Sequence, residues 1–171
     1  GAELCITCHP KGGWTGRKNT HAPVKSQKQC LSCHGPHGGA GAGVLVTNGD
    51  ALCFTCHDRK QFEGPFVHEA MKKGCASCHD PHGSDGPKLA RANTIADACK
   101  KCHADVTKHF HKPTSEKPGP GGQPLTCTDC HSPHAAKFAG LLNKDPKRDL
   151  CVQCHDSSML NEGEGSHGGA H

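Results

Sequence analysis

The sequence predicts a chain that is mostly coil with a few short helices and little or no sheet, wrapped around bulk that its own side chains do not supply. Three observations lead there. Only 33% of the 171 residues are hydrophobic and the mean hydropathy is −0.65, with no Tyr, one Trp and five Phe. The 22 Gly and 12 Pro interrupt regular elements, and such a composition alone leans towards disorder. Against that stand 14 Cys and 16 His, a load that fits a disulfide scaffold, a metal array or covalent cofactors.

Every cysteine falls in a C-x-x-C-H motif. The seven copies end at His9, His34, His57, His79, His103, His131 and His155, preceded by Cys5/Cys8, Cys30/Cys33, Cys53/Cys56, Cys75/Cys78, Cys99/Cys102, Cys127/Cys130 and Cys151/Cys154. This is the c-type haem attachment signature. Two thiols add to the vinyl groups along one porphyrin edge, and the adjacent imidazole reaches the iron as proximal ligand. A His after all seven pairs has a chance probability of order 10⁻⁷. Zinc knuckles work in pairs and need no such His; a disulfide framework needs none either. Seven haem c groups would then form most of the core.

Nine histidines remain: His21, His37, His68, His82, His109, His111, His134, His167 and His171. Two Met cannot serve seven irons, so bis-His ligation is expected, with low potentials. An internal repeat organises the nine. The even motifs extend to C-x-x-C-H-x-P-H, bringing in His37, His82 and His134. Each odd motif is followed by a separate His: His21, His68 and, after the last, His167. After His103 two candidates follow, His109 and His111. His111-Lys112-Pro113 aligns with His21-Ala22-Pro23, which favours His111; His171 is the alternative to His167. A rigid Pro between His34 and His37 cannot carry the second imidazole round its own haem, so His37, His82 and His134 are expected to ligate neighbouring haems.

In chain order, one domain over 1–171 is expected, with two-haem repeats at about 1–43, 44–92 and 93–140 and a seventh haem at 141–171. Residues 35–43 and 113–124 read as loops over haem faces or edges. Short helices are expected at the motifs, as at 93–103, where apolar residues recur at helical spacing. Leu45 to Thr47 is short for a strand. The Gly-rich tail, 161–171, would fray unless tethered.

The alternation of plain C-x-x-C-H with C-x-x-C-H-x-P-H over residues 5–155 resembles the doubled C-x-x-C-H multihaem cytochromes. That group includes periplasmic carriers, subunits feeding outer-membrane conduits, and extracellular cytochromes, some of them polymerising into filaments. The resemblance implies haem attachment after export, bis-His iron, and haems alternating between parallel-stacked and T-shaped neighbours.

The formal charge of +4 does not point to nucleic acid, because two propionates per haem would reverse its sign; the Lys and Arg read as propionate partners. No apolar run approaches the ~20 residues of a membrane span. No leader is evident, which reads as a mature, exported chain. The expected function is electron transfer without catalysis, since distal candidates outnumber haems and no site is left open. An extracellular conductive filament, a homopolymer, is the favoured assembly, with a discrete periplasmic carrier as the alternative and a multihaem reductase as the reading from another class. Partners would be other redox proteins or extracellular electron acceptors.

Overall fold

A computed structural model describes residues 2–9, 16–105 and 122–160. Loops at 113–121, the tail at 161–171, and His109, His111, His167 and His171 lie outside them.

Short elements joined by coil make up the described chain. Among the described residues there are, beside short 3-10 turns, five α-helices of four to seven residues: α1 (Ala2–Cys8), α2 (Ala22–Lys25), α3 (Gly49–Cys53), α4 (Ile95–Lys100) and α5 (Cys127–Cys130). Helices this short gain little from their own hydrogen bonds, so local caps and tertiary ties hold them. Thr94 caps α4, its Oγ1 accepting the Asp97 N–H at 3.0 Å. At α5 the Thr126 N–H reaches the Asp129 carboxylate at 2.6 Å, half of a capping box. The helix expected over 93–103 thus forms, trimmed to one and a half turns by its cap.

Four two-residue strands make two antiparallel pairs. β1 (Asn19–Thr20) pairs with β3 (Gly83–Ser84), and β2 (Phe66–Val67) with β4 (Ala135–Ala136). Near Leu45 only isolated bridges form, to His34 and Gly41. At Gly83, φ is +157° and a Cβ would meet the Asn19 carbonyl oxygen at 2.7 Å, so the close approach of β1 requires glycine.

The described residues divide into two compact units, one from Gly1–Phe62 and Glu69–Lys108, the other from Glu63–His68 and His109–His171. The first holds β1 and β3; the second holds β2 and β4. Neither has a side-chain core of ordinary size. Among the described residues the buried ones are Gly83, Ser84, Gly86, Ala90 and Ala136, and no large side chain is fully buried, while Leu31 and Val152, inside motifs, are exposed. A chain of this length normally encloses bulky aliphatic and aromatic groups. Here the apolar filling must come from a bound group, as the composition requires. Among the described residues no helix is long and apolar enough to cross a membrane.

Candidate haem-binding sites

Each motif is one helical turn. In all seven the His N–H donates to the first Cys carbonyl, from His9 to Cys5 at 2.8 Å through His155 to Cys151 at 3.0 Å. Positions three and four apart lie on one face of such a turn, so both thiols and the imidazole point the same way. That is the arrangement which attachment along one porphyrin edge needs.

The two thiols of a motif are not equally enclosed. The first cysteine is half-buried in every motif. The second is exposed in five of them, at Cys8, Cys56, Cys78, Cys102 and Cys154, and half-buried only at Cys33 and Cys130. The second cysteine closes the turn, its N–H donating to the first cysteine's carbonyl, as Cys78 does to Cys75, Cys102 to Cys99 and Cys154 to Cys151, each at 3.2 Å. In the five motifs whose second thiol is exposed, polypeptide covers one end of the thiol pair, and a porphyrin edge laid along the pair would cover the other. No cysteine is in a disulfide, so all fourteen thiols are available for thioethers.

In the even motifs a second device fixes the imidazole. The Nδ1 of His34 faces the Gly43 carbonyl at 2.8 Å, that of His79 the Lys88 carbonyl at 2.9 Å, and that of His131 the Gly140 carbonyl at 2.7 Å. A carbonyl cannot donate, so Nδ1 carries the proton and Nε2 is left as the basic nitrogen for a metal. Two consecutive left-handed residues turn each carbonyl inward: Gly43-Val44, Lys88-Leu89 and Gly140-Leu141, with φ between +52° and +71°. Val44, Leu89 and Leu141 are uncommon there, and each such residue costs roughly 1–2 kcal/mol. The ladder offsets this in part, since Gly35, Asp80 and Ser132 donate their N–H groups back to those same three residues. Sequence reasoning missed this clamp; its trace is an aliphatic residue, Val44, Leu89 or Leu141, ten residues after each even proximal His.

The His following an odd motif docks on the next repeat. His21 donates its N–H to the His82 carbonyl at 3.2 Å, and its Nδ1 faces the Pro81 carbonyl at 2.9 Å. His68 does the same with the His134 carbonyl at 2.8 Å and the Pro133 carbonyl at 2.9 Å. β1–β3 and β2–β4 are the two-residue ladders next to these contacts. His82, the second H of the middle H-x-P-H, therefore serves twice, its carbonyl holding His21 and its ring standing opposite His34.

Two imidazole pairs stand opposite one another in the first unit. His21 and His57 have ring centres 6.2 Å apart with planes 14° from parallel; His34 and His82 are also 6.2 Å apart, at 10°. Two imidazoles sharing one metal at bonds of about 2 Å, with roughly 1.1 Å from nitrogen to ring centre, stand about 6 Å apart. The gap fits one iron. Between His34 and His82 runs an apolar cleft lined by Cys30, Cys33, Leu52 and Pro81. Thiol pair, proximal ring, distal ring and apolar wall thus converge on one space, and the residues fit a c-type haem. His82 faces His34 of the preceding repeat, as its tight Pro-bearing link to His79 requires. His37 lies in the turn after the second motif.

One other cluster could suggest a metal: Asp50, Cys53 and Cys75. Its chemistry argues against that. Burial first, then hydrogen bonding to Asp50, pushes the Cys75 thiol up to about 12, away from the thiolate a metal needs. Asp50 instead accepts the Cys75 N–H at 2.9 Å and so caps the fourth motif's turn. Burial likewise raises the thiols of Cys30, Cys33 and Cys130.

Turn-borne thiol pairs facing opposed imidazoles, in a chain without a side-chain core, define a multihaem c-type cytochrome. The chain belongs to the doubled CXXCH motif family, whose model matches residues 21–62, 68–108 and 111–160. It is 31% identical over 178 residues to the multiheme cytochrome MtrA of Shewanella baltica (strain OS185), an alignment covering 91% of this chain and 53% of that protein. The chain thus spans about half the length of that relative.

Proposed function

We propose that this chain transfers electrons, without chemistry of its own, through seven covalently attached haem c groups held outside the cytoplasm. The fourteen motif cysteines form the thioethers, and the motif histidines are the proximal ligands. His82 is the distal ligand for the haem on Cys30/Cys33, and His21 for the haem on Cys53/Cys56. His37, His68, His111, His134 and His167 complete the distal set. Haem supplies one-electron exchange at iron; the polypeptide fixes where those irons sit and closes their coordination.

One observation carries the reading. The two distal ligands of the second- and third-motif haems are joined directly, His21 N–H to His82 carbonyl, so the haems of two repeats are clamped by exchanged ligands. Such closure favours transfer over catalysis, which needs an open coordination position. Carbon monoxide is therefore expected to leave the reduced spectrum of the intact protein unchanged. Stoichiometric binding at one haem would mark an open site and replace this reading with that of a reductase.

For assembly, ligand exchange inside the chain favours a discrete periplasmic carrier, handing electrons between redox proteins. The second reading is the extracellular filament. Its argument from an ordered tail falls on residues 161–171, outside the described ones, but one feature favours it. Gly38, at the place of Gly83, has a φ of +145° beside the +157° of Gly83, and among the described residues no strand pairs with it. A second copy could add a histidine-bearing strand at that edge. Electron microscopy of the secreted holoprotein separates the two: discrete particles at every concentration are expected, and long uniform filaments would establish the polymer.

A further inference from the structure

The ligand imidazoles of the first unit do not share one electrostatic environment. The Nδ1 atoms of His21, His34 and His79 face neutral backbone carbonyls, and in the second unit so do those of His68 and His131. His82 differs, with its Nδ1 3.7 Å from the Oδ1 of Asp80. The cause is one residue of the repeat: the x of H-x-P-H is Gly35, Asp80 and Ser132 in turn, and only the middle copy is charged. The carboxylate is held in place. Its Oδ1 accepts the His82 N–H at 3.1 Å, and its side chain is 24% exposed.

We propose that Asp80 lowers the reduction potential of the haem held between His34 and His82, making that haem the most oxidation-favoured of its immediate group. This rests on the ligand assignment above. A fixed negative charge behind an axial imidazole strengthens its donation and favours the more positive iron. At 3.7 Å the contact is too long for a strong hydrogen bond, so the effect is mainly of charge. Arg91 offsets part of it, its Nη1 lying 3.7 Å from the Asp80 Oδ2. Arg91 approaches the other carboxylate oxygen, Oδ2, while Oδ1 faces the His82 ring, and its Nε is tied to the Ala76 and His79 carbonyls at 2.9 and 3.1 Å. The functional consequence is a step in the chain of potentials at the clamp between repeats, which biases where electrons rest.

The alternative role for Asp80 is a structural cap for the His82 N–H. Asp80→Asn keeps that acceptor and removes the charge; Asp80→Ser copies the third repeat, where Ser132 Oγ accepts the His134 N–H at 3.4 Å. Spectropotentiometric titration of the holoprotein, with electron paramagnetic resonance of the low-spin haems, reads the result. Both variants are expected to move one of the one-electron steps upward by about 59 mV, a ten-fold fall in that haem's oxidised-to-reduced ratio at a fixed potential, while every haem stays low-spin. Superimposable titrations overturn the proposal. A new high-spin haem in either variant also overturns it, by making Asp80 a structural cap. His82→Ala, measured alongside, tests the assignment separately: if it creates no five-coordinate haem, the assignment fails whatever the Asp80 variants do.

Discussion

His82→Ala is expected to convert one haem, that on Cys30 and Cys33, from six- to five-coordinate, with no change in the number of haems attached. The ring of His82 stands opposite His34 at 6.2 Å, while its backbone carbonyl holds His21. Alanine keeps the carbonyl and removes the ring, so the neighbouring site with His57 should survive. The ferric protein should gain one high-spin haem by electron paramagnetic resonance, and the ferrous protein should bind one carbon monoxide per chain. His21→Ala should do the same to the haem on Cys53 and Cys56. A His82→Ala protein that remains wholly low-spin would show that the iron on His34 takes its sixth ligand elsewhere.

The second large effect is expected from Cys30→Ser combined with Cys33→Ser. Deleting a buried side chain usually costs about 2–5 kcal/mol. Here the group removed is the filling of a cleft lined by Leu52, Pro81 and two imidazoles, with no large side chain fully buried among the described residues to compensate. The loss should exceed that of any single core truncation. It should appear as a melting midpoint lower by roughly 10 °C or more and an intact mass lower by one haem. An unchanged midpoint would mean that side chains, not haem, hold the first unit together.

How far the sequence carries can be traced through particular residues. The thiol pairs and proximal imidazoles are legible because five adjacent residues contain the whole device, and the structure adds only the turn that joins them. Their burial is not legible in the same way: Cys78, Cys102 and Cys154 are exposed beside half-buried partners, while Cys33 and Cys130 are half-buried at the same motif position. Bis-His ligation is legible as a count. The partners are not. His21 meets His57, and His82 meets His34, through two-residue strands such as Asn19–Thr20 on Gly83–Ser84, too short to carry any periodicity. The carbonyl clamp was hidden for another reason. Left-handed backbone is normally signalled by glycine, yet Lys88, Leu89, Val44 and Leu141 adopt it, forced there by a hydrogen-bonded ladder that only tertiary structure reveals. The expectation of little or no sheet holds, since among the described residues strand pairing is limited to two-residue ladders next to His21 and His68.

The central claim is that every C-x-x-C-H motif carries a haem and that these haems are the core. Intact mass spectrometry of the mature protein under denaturing conditions tests it most directly, because thioether-bound haem stays on the chain when the fold is lost. The account predicts one species heavier than the polypeptide by seven haems. A homogeneous product carrying four or five would contradict it, leaving some cysteine pairs as free thiols and some histidines without an iron.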